Sequence, residues 1–350
     1  MICSLIALFF RMTIGATLTR SGGRAVKIDW FLVCLAAAVG LALLAPGIGA
    51  TGGPLPLGVI TQIGIALVFF LHGANLSPQA LASGAAKWRL HLLIQATTFV
   101  LFPVFGALIF VATEPVLPAE VRLGFFYLCA LSSTISSAVA TVAIARGDVP
   151  AAIFNATLSG LIGMVATPAL VGLVQQDVGG HISFVDAVVD IAVKLLLPFI
   201  AGQLLRRWLA PVIAGHKPWI SRLDRSVIVL IVYAAFCNST AAGVWSLYGP
   251  ARLALIFVLV AALLAIMIVV TTLVSRRLGL SRDEEITVVI CGSQKSLANG
   301  APIAQVLFAA SPALGAILLP LMLYHPLQLV VCSTLARRHA DRTTAEASSV

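Results

Sequence analysis

Cys291-Gly292-Ser293-Gln294-Lys295-Ser296-Leu297-Ala298-Asn299-Gly300-Ala301-Pro302 lies in the middle of an apolar stretch that runs from 284 to 309. Glycine and proline weaken a helix interior, and a lysine at the centre of a bilayer costs about 2.5 to 3.5 kcal/mol on insertion scales. This one segment holds two glycines, a proline, an amide pair and a cation. Upstream, Leu131-Ser132-Ser133-Thr134-Ile135-Ser136-Ser137 places five hydroxyl residues near the middle of another apolar stretch, 121 to 146. One or two hydroxyls in a membrane helix bond back to their own backbone and do nothing else; five in seven residues call for another explanation. Cys129 and Cys291, at the heads of the two segments, are 162 residues apart. Interruptions at matching positions of two half-chains predict discontinuous helices that cross near the membrane midplane, where half-helix ends and freed carbonyls bind ions or substrate.

The same offset recurs outward from these segments. Arg89-Leu90 matches Arg252-Leu253 at 163, Asp29 matches Asp190 at 161, and Gly40 matches Gly202 at 162. Of the 350 residues 60% are hydrophobic and 10% charged, against about 25% charged in a soluble domain. A soluble enzyme, a nucleic-acid binder and a disordered chain are excluded, as is a sizeable extramembrane domain. Ten apolar segments can be marked: 28–46, 57–76, 88–112, 121–146, 149–174, 183–205, 223–242, 250–275, 284–309 and 311–337. In lipid each must be helical to satisfy its own backbone. The expected fold is therefore an all-α integral membrane protein of ten transmembrane helices, arranged as two five-helix repeats (28–174 and 183–337) with helices four and nine broken and crossing. Because five is odd, the second repeat enters the membrane inverted. Residues 1–27 and 338–350 are expected as cytoplasmic N- and C-terminal segments. Ile2 to Phe10 is apolar but too short to span, and Arg11 follows the run, whereas a signal peptide carries its positive charge in front.

With both termini cytoplasmic, 18 of the 22 Lys and Arg residues fall inside, including Arg206, Arg207, Lys217, Arg222 and Arg225 of an inner loop read as 206–225. Arg122 and Arg252 fall outside; Lys194 and Lys295 lie within spans. Such an imbalance sets the orientation. The six cysteines show no CxxC or Cys/His spacing suited to zinc and read as small hydrophobes.

Candidate residues at the crossing are Ser132, Ser133, Thr134, Ser136, Ser137, Ser293, Gln294, Lys295, Ser296 and Asn299. Lys295 lies in a cytoplasmic hairpin, snorkels to the interface, or faces a polar cavity, where its ammonium replaces a bound cation or attracts an anionic substrate. No acidic residue follows Glu284 and Glu285 in that span to partner it. Loss of its proton during a cycle would shift coupling from sodium to protons. Asn155, Thr157 and Ser159 could line the same cavity from the fifth span; His72 and His325 read equally as packing residues or proton carriers. Asp190 and Lys194, spaced i, i+4, can neutralise one another.

The stretches Leu67-Val68-Phe69-Phe70-Leu71-His72-Gly73, Ala145-Arg146-Gly147-Asp148-Val149-Pro150-Ala151-Ala152, Cys291 to Ala298, and Leu319-Pro320-Leu321-Met322-Leu323-Tyr324-His325 together resemble the bile acid:sodium symporter family, in particular its divergent, largely bacterial symporter-like branch. The resemblance covers roughly residues 28 to 340. It implies a panel domain from 28–76 and 183–242 and a core domain from 88–174 and 250–337, with substrate between them beside the crossing and two sodium ions behind it. By position, Ser136, Ser137, Thr157 and Ser159 would form the first sodium site and Gln294 part of the second. Sodium-coupled relatives carry a glutamate two residues before the span-nine glycine, where this chain has Ile290, and asparagines where it has Ser137 and Lys295.

The function expected is secondary transport of an organic anion by alternating access, the substrate ranging from bile acid or sterol sulfate to a small carboxylate. The coupling ion is sodium or a proton, and no other cofactor or metal is expected. A channel or regulatory membrane protein without turnover is the second reading. An intramembrane enzyme built on Ser293, Lys295 and Ser296 is the third, though it lacks an oxyanion hole or a placed acid. Expected partners are the lipid bilayer of the bacterial inner membrane and the anion, with no nucleic acid; a monomer is compatible with the sequence.

Overall fold

The computed structural model describes residues 30–76, 87–175, 189–309 and 311–347. The expected N-terminal segment 1–27 lies outside the described residues. Twelve helical segments follow in order: α1 (Trp30–Leu44), α2 (Leu57–Asn75), α3 (Trp88–Ala112), α4 (Ala119–Ala130), α5 (Ser136–Ile144), α6 (Val149–Gln175), α7 (Leu197–Gly215), α8 (Lys217–Ala241), α9 (Pro250–Arg277), α10 (Arg282–Ser293), α11 (Leu297–Leu307) and α12 (Leu314–Ala347). No strand occurs among the described residues. Among the described residues five helices are long and apolar enough to cross a membrane: Leu57–Asn75, Trp88–Ala112, Val149–Val174, Pro250–Arg277 and Leu314–Asp341. Together with a mean hydropathy of +1.06, this makes the chain an all-α integral membrane protein.

The stretch 206–225 is not a loop. α7 runs to Gly215, the chain turns at His216, and α8 starts at Lys217 with Pro218 in its first turn. A charged segment outside lipid has no reason to leave the helix when proline, whose fixed φ suits a first turn, restarts it. Likewise α12 continues past 337 as far as Ala347. The described cysteines Cys34, Cys129, Cys237, Cys291 and Cys332 are free thiols.

Two groups of helices are distinguishable by their packing. α2 lies along α7, α1 lies along α8, and α8 also touches α2. The α2–α7 approach depends on two reciprocal glycines: a Cβ on Gly73 would overlap the Phe199 carbonyl oxygen, and one on Gly202 would overlap that of Phe70. Small residues bring helix backbones together in membranes in this way. In the other group α4 packs on α12, α3 and α6, and α9 packs on α10 and α12. α8 touches α11 and α12, linking the groups.

α3 carries a local irregularity with consequences for the site. Residues Thr97–Leu101 form a π turn, with the Phe102 N–H donating to the Thr97 carbonyl rather than to that of Thr98. The next candidate donor to Thr98 is Pro103, which has no N–H. The Thr98 carbonyl is therefore left without a partner inside its own helix.

Candidate functional site

α4 ends at Ala130 and α5 begins at Ser136, while α10 ends at Ser293 and α11 begins at Leu297. At both ends the backbone leaves the helix in an extended conformation, with ψ 155° at Leu131 and 143° at Gln294. Ser296 caps α11, its hydroxyl accepting from the Asn299 N–H at 3.1 Å, as serine does at helix N-termini.

The two interruptions lie against one another. The Ser296 N–H donates to the Ser132 carbonyl at 3.0 Å, Asn299 Nδ2 to Ser132 Oγ at 3.0 Å, and Ser133 Oγ to the Cys291 carbonyl at 2.7 Å. Ser137 Oγ donates to Gln294 Oε1 at 3.1 Å and lies 3.0 Å from Thr134 Oγ1. Each break strands carbonyls that lipid cannot satisfy, and side chains collect them. Thr167 Oγ1 donates to Ala130 O at 2.8 Å and the Tyr324 hydroxyl to Ser293 O at 2.6 Å, while the Tyr127 hydroxyl donates to Gly300 O inside α11. Gln328 holds the Lys295 peptide from both sides: its Oε1 accepts from the Lys295 N–H at 2.7 Å and its Nε2 donates to the Lys295 carbonyl at 2.8 Å.

Lys295 has no solvent exposure. Its Nζ donates to the carbonyls of Leu131 at 2.6 Å, Cys129 at 2.8 Å and Thr98 at 3.1 Å, and sits 4.0 Å from the centre of the Phe102 ring. An ammonium has three N–H donors, and all three are used. Two acceptors belong to the C-terminal end of α4, where the helix dipole favours a cation. The third is the carbonyl freed by the π turn of α3. The partner of Lys295 is thus a set of main-chain dipoles rather than a carboxylate.

The other candidates divide. Ser159 Oγ accepts from the Ser133 N–H at 2.9 Å and joins the interruption. Ser293 Oγ donates back to Val289 O at 2.6 Å, and Ser136 is exposed in the first turn of α5. Thr157 Oγ1 donates back to Ile153 O at 2.8 Å yet lines a cavity of about 240 Å3 with His72, Asn75, Ile135, Phe199 and Asn299. Asn155 turns to α3, with Nδ2 2.7 Å from His91 Nδ1 and its side-chain oxygen 3.3 Å from Gln95 Nε2. His72 stands 3.8 Å from Asp224, and His325 lies 3.1 Å from Gln328 Nε2. Lys194 pairs with Asp190 at 2.7 Å. A larger recess of about 730 Å3 beside Trp88, Arg89 and Leu278 is lined by no residue of either interruption. Among the described residues no group of three or more His, Cys, Asp and Glu side chains could hold a metal.

Thr98, Phe102, Gln328, Tyr324 and Thr167 are participants that sequence reasoning passed over. A proline five residues after Thr98 was the available signal for the first, since it removes a donor in mid-helix. Gln328, a buried amide three residues from His325, carried a weaker one.

Residues 29–341 match the SBF-like CPA transporter family. The chain is 46% identical over 316 residues to an uncharacterized protein of Pseudomonas aeruginosa, covering 90% of this chain and 93% of that one. It is 44% identical to the protein named "Putative symporter YfeH" of Escherichia coli K12, covering 81% and 85%. With the rat protein named sodium/bile acid cotransporter 7 it shares 29% identity over 89% of this chain and 92% of the relative. The chain belongs to the SBF-like CPA transporters of the bile acid:sodium symporter family, and is a membrane transporter rather than an enzyme.

Proposed function

We propose that the protein is a secondary active transporter that carries an organic anion across the bacterial inner membrane. It works as ten transmembrane helices in two inverted five-helix repeats, with α4–α5 and α10–α11 as the broken, crossing fourth and ninth helices and both termini cytoplasmic. In this reading α1, α2, α7 and α8 form the panel and α3 to α6 with α9 to α12 form the core. The recurring offset near 162 and the 18 inward cations of 22 support it, as does the close α2–α7 and α1–α8 packing.

The observation that carries the proposal is the position of the 240 Å3 cavity. One wall is His72, Asn75 and Phe199 from α2 and α7; the other is Ile135, Thr157 and Asn299, the last of which touches Ser132 across the interruption. A displacement of one helix group against the other changes the shape of this cavity and the contacts of the crossing together, which is what alternating access requires. The mostly apolar lining suits an amphipathic anion, from a small carboxylate to a bile acid or sterol-like molecule, with His72 as a titratable group in the wall. Names of relatives that include sodium cotransport support coupling to a cation, sodium or a proton, with Ser136, Ser137, Thr157, Ser159 and Gln294 as candidate ligands.

Purified protein in liposomes tests the reading. Saturable uptake of one member of an organic-anion panel, accelerated by the same unlabelled anion on the opposite side, is the expected result, and Asn299→Ala should reduce it at least tenfold. Flux that rises linearly with concentration and shows no exchange would instead indicate a channel.

A further inference from the structure

Among the described residues, Lys295 is the one Lys, Arg, Asp or Glu side chain with no solvent exposure. Its surroundings are unusual in kind: three main-chain carbonyls from two helices and one linker converge on a single point beside an aromatic ring. Rings of carbonyl dipoles replace the hydration shell of a bare monovalent cation in membrane proteins. The three carbonyls are available for two separate reasons. Cys129 and Leu131 belong to the end of α4, which leaves orphan acceptors, and Thr98 is released by the π turn and by Pro103. The backbone has thus built an acceptor site for one positive charge, and the chain fills it from its own ninth-span linker.

We propose that the Lys295 ammonium is a tethered cation that permanently occupies a cation position at the crossing, so that no free sodium ion enters there. The proposal rests on the transport reading only in taking the crossing as a place where cations act. A sodium ion about 4 Å from the ammonium would have its occupancy lowered roughly a thousandfold at an effective dielectric near 20. The site would reopen if the tether were cut, because a Lys295→Ala side chain leaves the carbonyls and the Phe102 ring facing an empty volume.

The test reads cation binding through stability, without transport. Unmodified protein, Lys295→Ala and Lys295→Met are purified in parallel in sodium, n-propylammonium or choline at one ionic strength, and the folded fraction and unfolding midpoint are measured. Lys295→Ala should be recovered folded in sodium or n-propylammonium and poorly in choline. Its folded-to-unfolded ratio should rise about a hundredfold when the cation reaches a hundred times its dissociation constant. Lys295→Met, whose side chain fills the volume, should show no such rescue. Equal recovery of Lys295→Ala in all three cations, equal failure in all three, or a sodium response that is the same in Lys295→Ala as in the unmodified protein would each overturn the proposal. Because no substrate is involved, a failed uptake assay leaves this result intact, and the reverse also holds.

Discussion

Two lysines in this molecule each gather three oxygens, and they do so in opposite ways. Lys295 is sealed in the protein and takes three uncharged carbonyls. Lys87, with 42% of its side chain exposed, takes three carboxylates: Asp148 and Glu284 at 2.8 Å and Asp283 at 3.9 Å. Both tie together elements distant in sequence, Lys87 joining the start of α3 to the starts of α6 and α10. Water decides how much each tie is worth. Around Lys87 solvent screens the attraction, so each exposed pair contributes about 1 kcal/mol or less. Around Lys295, which has no solvent exposure, water does not reach the carbonyls when an apolar side chain takes the place of the ammonium, so they bear the whole desolvation penalty.

The largest expected effect follows from that difference. Lys295→Met keeps the apolar stem and removes all three donors, leaving the Thr98, Cys129 and Leu131 carbonyls unpaired. At about 1 to 3 kcal/mol for each unsatisfied buried group, unfolding in detergent should become easier by several kcal/mol. Raising the salt concentration should leave that loss unchanged, since buried interactions are little screened. A loss below about 1 kcal/mol would put Lys295 in the same class as Lys87 and break the comparison. An intermediate effect is expected from Gln328→Ala, which frees the Lys295 N–H and carbonyl but leaves the ammonium in place. The expected destabilisation is about 2 to 6 kcal/mol, two buried groups being left unsatisfied where Lys295→Met leaves three. If Gln328→Ala costs as much as Lys295→Met, it is the peptide of Lys295 rather than its charge that holds the interruptions together.

Both interruptions were legible in the sequence because each defies lipid in composition: five hydroxyls in seven residues at Leu131 to Ser137, and a lysine with two glycines and a proline in the second. What could not be read was the identity of their partners. No carboxylate follows Glu285 along the span of Lys295, and its acceptors are carbonyls, which every residue carries and which no sequence pattern marks. Thr98 became available only through a π turn, a backbone event with Pro103 as its sole trace. Asn155 shows the reverse limit. Its place on the fifth span with Ser159 suggested one shared cavity, yet Asn155 bonds toward His91 and Gln95 of α3 while Ser159 accepts from the Ser133 N–H. Two residues on one helix side can still serve different neighbours when they sit a full turn apart. The 206–225 stretch misled for a simpler reason: charge excludes it from lipid but does not unfold a helix.

The smallest expected effect belongs to Lys87, and its pH dependence has a definite sign. Hydrogen bonds to Asp148 and then Glu284 hold the Lys87 ammonium above its ordinary 10.5. Burial alone would raise the Asp148 carboxyl, but the Lys87 hydrogen bond, the Ala151 N–H and the Lys87 charge together bring it below its ordinary 3.8. A lysine whose value is raised on folding contributes fully below 10.5 and loses that contribution as pH climbs through the higher folded value. An aspartate whose value is lowered contributes above 3.8 and loses it as pH falls through the lower folded value. The difference in unfolding midpoint between unmodified protein and Lys87→Ala should therefore be small and flat between about pH 4 and pH 10.5, shrinking on either side. It should also shrink as salt is added, where the Lys295→Met difference does not. A Lys87 effect that persists in high salt, or that grows below pH 4, would mean that the cluster acts by packing and that exposure is not what separates the two lysines.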